Sequence, residues 1–166
     1  MNVSLLKGIF VFVLLLLAQV LVLNHVHLFG FATPLPYVYM VLLFRRGYAK
    51  WAILLQCFLM GLCIDVFSDT PGVTMASMTL LGLLQPYLLS MFVQRDMDES
   101  LAPSFATLGT AKFVYYTIIS VTIYCLVFFS LEAFNFFNWL LWLATIAGST
   151  VLTVILVLVL ENLRKK

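Results

Sequence analysis

Charge-free apolar runs, each near the length of a membrane crossing, alternate along this chain with short polar junctions. About 20 apolar residues in a helix cover the hydrocarbon core of a bilayer. Leu5 to Leu23 is the first such run, with Lys7 near its start. The junction that follows, Asn24-His25-Val26-His27, is not a small-residue cleavage site. The run therefore predicts an uncleaved signal anchor and first span rather than a removable signal peptide. The second run, Leu35 to Phe44, is short, and Pro34 and Pro36 break regular helix there. It reaches normal length only if Leu28 to Thr33 also lies within the bilayer. Non-helical backbone at that depth is stable only under a cover of protein. The second span, about 34–44, is expected to begin its helix near Pro34 or Pro36 and to pack inward.

Arg45, Arg46 and Lys50 mark the next water boundary, and Trp51 anchors the start of a third span over 51–67. Ser68-Asp69-Thr70-Pro71-Gly72 reads as a tight turn, with Thr70 as N-cap and Pro71 at the first helical position of a fourth span over 71–93. Pro86 lies inside that span, where its ring meets the carbonyl of Gly82, a residue with no side chain to crowd a kink. Gln94 to Ser100 is the most polar stretch. Asp98, Glu99 and Ser100 ahead of Pro103 suit the positive end of a helix dipole. A fifth helix is expected over 101–131, with Lys112 snorkelling to the interface that holds Arg95. The sixth span, 139–160, leaves Glu161 to Lys166 as a polar tail.

Composition narrows the class and charge sets the orientation. The chain is 64% hydrophobic and 10% charged, which excludes an ordinary soluble domain. Its 166 residues suffice for a single membrane domain over 1–166. With six spans, all nine Lys and Arg residues fall on one side, and the three alternate connections carry none. The positive-inside rule then predicts an all-α integral membrane protein of six transmembrane helices, N-in/C-in. A net charge of +2 gives no case for nucleic acid. Cys57, Cys63 and Cys125 lie in apolar runs without CxxC spacing and read as small buried or lipid-facing residues.

Candidate chemistry is sparse. Asp65 is the one acid placed within a span, near the outer end of the third. Intramembrane acids serve ion coupling, ligand binding or contacts to partner helices, whereas an interfacial position would let the group reach water. An acid at a helix C-terminus opposes the dipole, so Asp65 needs a compensating donor, and no Lys or Arg on the outer half supplies one. His25 and His27 lack a third ligand and read as interfacial, so no metal is expected. Ala144 and Gly148, extended by Ser149 and Thr153, form a small-residue face suited to close helix packing. No HExxH, GxSxG or Walker pattern is present, and Asp65 has no second intramembrane Asp beside it. The expectation is a protein with no catalytic residue and no cofactor.

Two segments resemble a known family. Asn24-His25-Val26-His27-Leu28-Phe29-Gly30-Phe31-Ala32-Thr33-Pro34-Leu35-Pro36-Tyr37-Val38-Tyr39 is similar to the end of helix one and start of helix two in the rod shape-determining protein MreD family, in its Bacteroidetes-type form. Gly61-Leu62-Cys63-Ile64-Asp65-Val66-Phe67-Ser68-Asp69-Thr70-Pro71-Gly72 resembles that family's second signature, a Gly, an Asp four residues on, and a Gly after a polar turn. Two departures stand out. Gln85-Pro86 occupies the place of the family's usual Arg-Pro, and Phe44-Arg45-Arg46-Gly47 replaces its short proline turn.

The resemblance implies a non-enzymatic scaffold of the cell-elongation (rod) complex in the bacterial inner membrane, regulating cell shape and peptidoglycan synthesis. Its implied partners are the transmembrane helix of MreC, the pair of RodA with penicillin-binding protein 2, the MreB filament and membrane lipids. The residues expected to shape the partner-binding or structural motif are Asn24, His25, Gly30, Pro34, Gly61, Asp65, Gly72, Gln85 and Pro86. At fold level the family also resembles the substrate-binding subunits of energy-coupling-factor vitamin transporters. The alternative is therefore a small-molecule or lipid-binding membrane protein. The short second span, the prolines and the intramembrane acid all suit such a site.

Overall fold

The structure is a computed structural model that describes residues 3–21, 33–93, 102–133 and 139–165. The described residues form helices and loops only: α1 (Val3–Leu21), α2 (Val38–Leu42), α3 (Lys50–Ser68), α4 (Val73–Phe92), α5 (Phe105–Leu108), α6 (Thr110–Ala133) and α7 (Trp139–Lys165). Four of them, α3, α4, α6 and α7, are long and apolar enough to cross a membrane. The apolar stretch Phe10–Leu21 of α1 is shorter.

The pattern of burial is that of a membrane bundle, with polarity inside and apolar surface outside. On α4 the buried stripe is Thr74, Ser77, Met78, Leu81, Gly82, Gln85 and Leu89, spaced three and four apart. Its exposed face carries Leu80, Leu83, Tyr87 and Met91. On α6 the buried stripe includes Tyr116, Thr117, Ser120 and Tyr124, whereas Tyr115, Ile118, Ile119 and Leu126 face outward. A soluble helix reverses this arrangement, because water rewards exposed polar groups and lipid does not.

The long helices pack side by side. On α3 and α4 two glycines set the distance. A Cβ on Gly61 would lie 2.4 Å from Met75 Cα, and one on Gly82 would lie 2.7 Å from Cys57 Sγ. Backbone meets backbone at the first site and backbone meets thiol at the second. α4 packs in turn on α6, and α6 on α7, while α1 lies against α3.

The second apolar run is the main departure from regular helix. α2 has only five residues, framed by turns at Pro36–Tyr37 and at Leu43. Every residue from Pro34 to Leu42 is buried, so the segment runs through the interior rather than along the lipid face. It touches α1, α4 and α6, and its backbone reaches side chains of α7. A run of 34–44 read as one span is here a covered, mostly irregular strip.

Three helix ends also differ from the sequence expectation. α4 begins at Val73 with Gly72 as N-cap, so Pro71 lies in the turn and Thr70 is not the cap. The expected 101–131 helix is two helices, broken at Gly109, whose φ of 82° interrupts the regular ladder. Ser104 caps α5, exchanging hydrogen bonds with Thr107 in a capping box, while Asp98, Glu99 and Ser100 lie outside the described residues. Finally, α7 continues through Lys165, which turns the expected polar tail beginning at Glu161 into the last helical turn.

Candidate functional site

The last turn of α3 carries Asp65 at 7% exposure. Its carboxylate accepts four hydrogen bonds from the chain just beyond it. Oδ1 takes the Thr70 hydroxyl at 3.1 Å and the Thr74 N–H at 2.9 Å. Oδ2 takes the Gly72 N–H at 3.1 Å and the Met75 N–H at 2.9 Å. Helix starts leave several N–H groups without intrahelical acceptors, and their dipole end is positive. An acid that opposes the dipole of α3 is thereby held by the favourable dipole end of α4. The compensating donors are backbone amides of the next helix.

Local geometry makes that reach possible. Asp69 has φ of 55° and Gly72 has φ of 86°, both left-handed, so the chain reverses within the few residues separating the helices. The Asp65 carbonyl accepts the N–H of Asp69 and, at 3.4 Å, that of Thr70, which closes the C-terminus of α3. Gly61, one turn before Asp65, admits the backbone of Met75. Gly61, Asp65 and Gly72 thus form one structural unit: close approach, anchor and turn.

A second set of polar contacts clasps the buried 33–44 segment from distant parts of the chain. The Thr33 N–H donates to Ser149 Oγ at 3.1 Å and the Leu35 N–H to Thr153 Oγ1 at 3.2 Å. The hydroxyls of Tyr37 and Tyr124 pair at 2.6 Å, their rings edge-on at 5.8 Å. The Tyr39 hydroxyl donates to Glu161 Oε2 at 2.5 Å. Glu161, though 2% exposed, is also paired with Arg164 at 3.2 Å. At the far end, Gln85 Nε2 donates to the Phe44 carbonyl at 2.9 Å. Proline and turn residues leave backbone groups unpaired in this strip, and side chains of α4 and α7 satisfy several of them.

The sequence candidates therefore separate. Gly61, Asp65 and Gly72 come together, whereas Pro34, Gln85 and Pro86 belong to or face the buried segment and its neighbour α4. Pro34 is buried, and α4 runs unbroken through a half-buried Pro86. Asn24, His25 and Gly30, with His27, lie outside the described residues. The small-residue face divides as well. Ala144 is exposed, while Ser149 and Thr153 point inward and hold backbone. Sequence reasoning missed Tyr37, Tyr39, Tyr124 and Glu161. The one local signal was Glu161 three residues before Arg164, a helical pairing distance. No group of three metal-ligating side chains occurs among the described residues.

Comparisons with family models, with curated proteins and with solved structures find no match to this chain.

Proposed function

We propose that this chain is a non-enzymatic membrane scaffold, a subunit of the MreD type in the cell-elongation complex of the bacterial inner membrane. In this reading it crosses the bilayer six times with both ends in the cytoplasm, the buried 33–44 strip making the second crossing. Its outer helix faces bind the single span of MreC and the RodA–penicillin-binding protein 2 pair, and its basic loops face MreB.

The observation that carries the proposal is the use made of the interior polar groups. The Asp65 carboxylate, the feature that most suggested a ligand or a coupling ion, already has four donors from its own chain. The strip through the centre is likewise bonded to α4, α6 and α7. Polar chemistry directed at holding the bundle together suits a scaffold better than a vitamin or lipid carrier. It also gives the Gly61–Asp65–Gly72 signature a folding role, in keeping with the resemblance.

Affinity purification of the tagged chain from bacterial membranes co-expressing MreC tests the proposal. Stoichiometric recovery of MreC is expected, together with labelling of tags at both ends only after the membrane is permeabilised. Absence of MreC from the complex, or saturable thermal stabilisation of the purified chain by one vitamin or nucleoside, would overturn it in favour of the carrier reading.

A further inference from the structure

Ser77, Thr79, Thr122, Ser130 and Thr145 each donate their hydroxyl to the carbonyl four residues earlier, at 2.5–2.9 Å. This is the usual way for a hydroxyl in an apolar helix to be satisfied. Thr117 and Ser120, on the buried stripe of α6, do otherwise. Their hydroxyl oxygens have no protein partner at 0% and 1% residue exposure. On α4, Gln85 is 2% exposed and bonded to the neighbouring Tyr116 of α6, and its Oε1 also has no protein partner.

The open valences at Gln85 are complementary. Its Nε2 donates to the Phe44 carbonyl and, at 3.3 Å, to the Tyr116 hydroxyl. Tyr116 accepts that bond, so its own O–H proton is left to be placed. An amide oxygen lies about 2.3 Å from its amide nitrogen, given the bond lengths of a carboxamide. Gln85 Oε1 and Tyr116 Oη are thus at most about 5.6 Å apart, a gap that two ordinary hydrogen bonds span. Pro86 adds to the demand, because it has no N–H to give the Gly82 carbonyl one turn back. In membrane helices such freed groups are commonly satisfied by ordered water.

We propose that the α4–α6 interface holds an internal water that receives the Tyr116 proton and donates to Gln85 Oε1. The Thr117 and Ser120 hydroxyls continue the same polar seam along α6. The occupant must both accept and donate, since one side offers a proton and the other a lone pair. A metal cation only takes lone pairs, and an anion would find no positive charge among an amide, three hydroxyls and backbone carbonyls. Water meets both requirements. The inference is independent of the scaffold reading.

Synchrotron hydroxyl-radical footprinting of the full chain in nanodiscs tests it, because radiolysis of a trapped water oxidises the ring beside it. Tyr37 is the reference, a tyrosine of 1% exposure whose hydroxyl is already paired with Tyr124. Tyr116 is expected to oxidise several-fold faster than Tyr37, and Gln85→Met is expected to remove the difference. Equal rates in the unaltered chain overturn the proposal. Should Gln85→Met not fold, a structure of the unaltered chain that resolves ordered solvent decides. Density between Gln85 Oε1 and Tyr116 Oη supports the site, and a protein donor on Oε1 or empty space there overturns it.

Discussion

The α3–α4 hairpin and the buried 33–44 strip both place polar groups inside the bundle, yet they are stabilised in opposite ways. In the hairpin, every partner of Asp65 lies within ten residues of it in the chain. In the strip, partners lie 41 to 125 residues away, on helices made later. The hairpin can close as soon as its two helices are in the bilayer, because the bonds span a short turn. The strip can be satisfied only after α4, α6 and α7 have gathered around it. Until then the backbone groups that its prolines and turns leave unpaired lack these partners. The hairpin is a local unit and the strip depends on the finished bundle.

The largest expected effect comes from removing the hairpin's anchor. Asp65→Leu leaves the N–H groups of Gly72, Thr74 and Met75 without their acceptor, at about 1–3 kcal/mol for each buried orphan. The three together come to about 3–9 kcal/mol, comparable with the whole stability of many small domains. A drop of folded yield in mild detergent, measured by size-exclusion profile and thermal melting, is the expected result. Asp65→Asn retains one acceptor oxygen and is expected to fall between the two. Equal stability of Asp65→Leu and the unaltered chain would show that these bonds contribute little.

Gly61→Ala is next. The added methyl would lie 2.4 Å from the Met75 Cα, so α3 and α4 must separate. Overpacking of this kind costs about 1–3 kcal/mol. Because separation also lengthens the Asp65 bonds, the double variant Gly61→Ala/Asp65→Leu is expected to lose less than the sum of the two single losses. Full additivity would mean that close approach and capping act independently. Gly72→Ala is milder, at about 1 kcal/mol, since φ of 86° is strained for any residue with a Cβ but no neighbour blocks the added methyl.

How much of this was legible in the sequence follows the same division. Gly61, Asp65 and Gly72 stand close together, so turn chemistry and the dipole conflict at Asp65 pointed to a compensating donor nearby. What the sequence left open was whether the donor came from the chain, a partner or water. For the strip, Pro34 and Pro36 announced irregular backbone and the rule of covered irregularity predicted inward packing. Its clasps were not legible. Tyr37, Tyr39 and Tyr124 look like ordinary apolar filling in a hydrophobic run, and Glu161 looked like a solvated tail. No periodicity within one helix reveals a contact with a residue more than a hundred positions away. The break at Gly109 was missed for a different reason: a lone glycine in an apolar run is usually tolerated inside a helix.

The smallest effect sharpens the comparison most. Thr153→Val keeps the shape of the side chain and removes the acceptor of the Leu35 N–H. Hydrogen bonds between segments in membranes average about 0.6 kcal/mol and reach about 1.7. A melting shift near the limit of detection is therefore expected. Hydrogen exchange followed by mass spectrometry resolves what melting does not. Peptides covering 33–44 should exchange faster in Thr153→Val, while peptides covering 72–75, where Asp65 holds the Gly72, Thr74 and Met75 amides, should keep their protection. Ser149→Ala, which frees the Thr33 N–H, should act in the same direction, and the pair together should exceed either alone. Faster exchange over both regions at once would mean that the hairpin and the strip open as one unit. The hairpin would then be no more local than the strip, despite the short reach of its bonds.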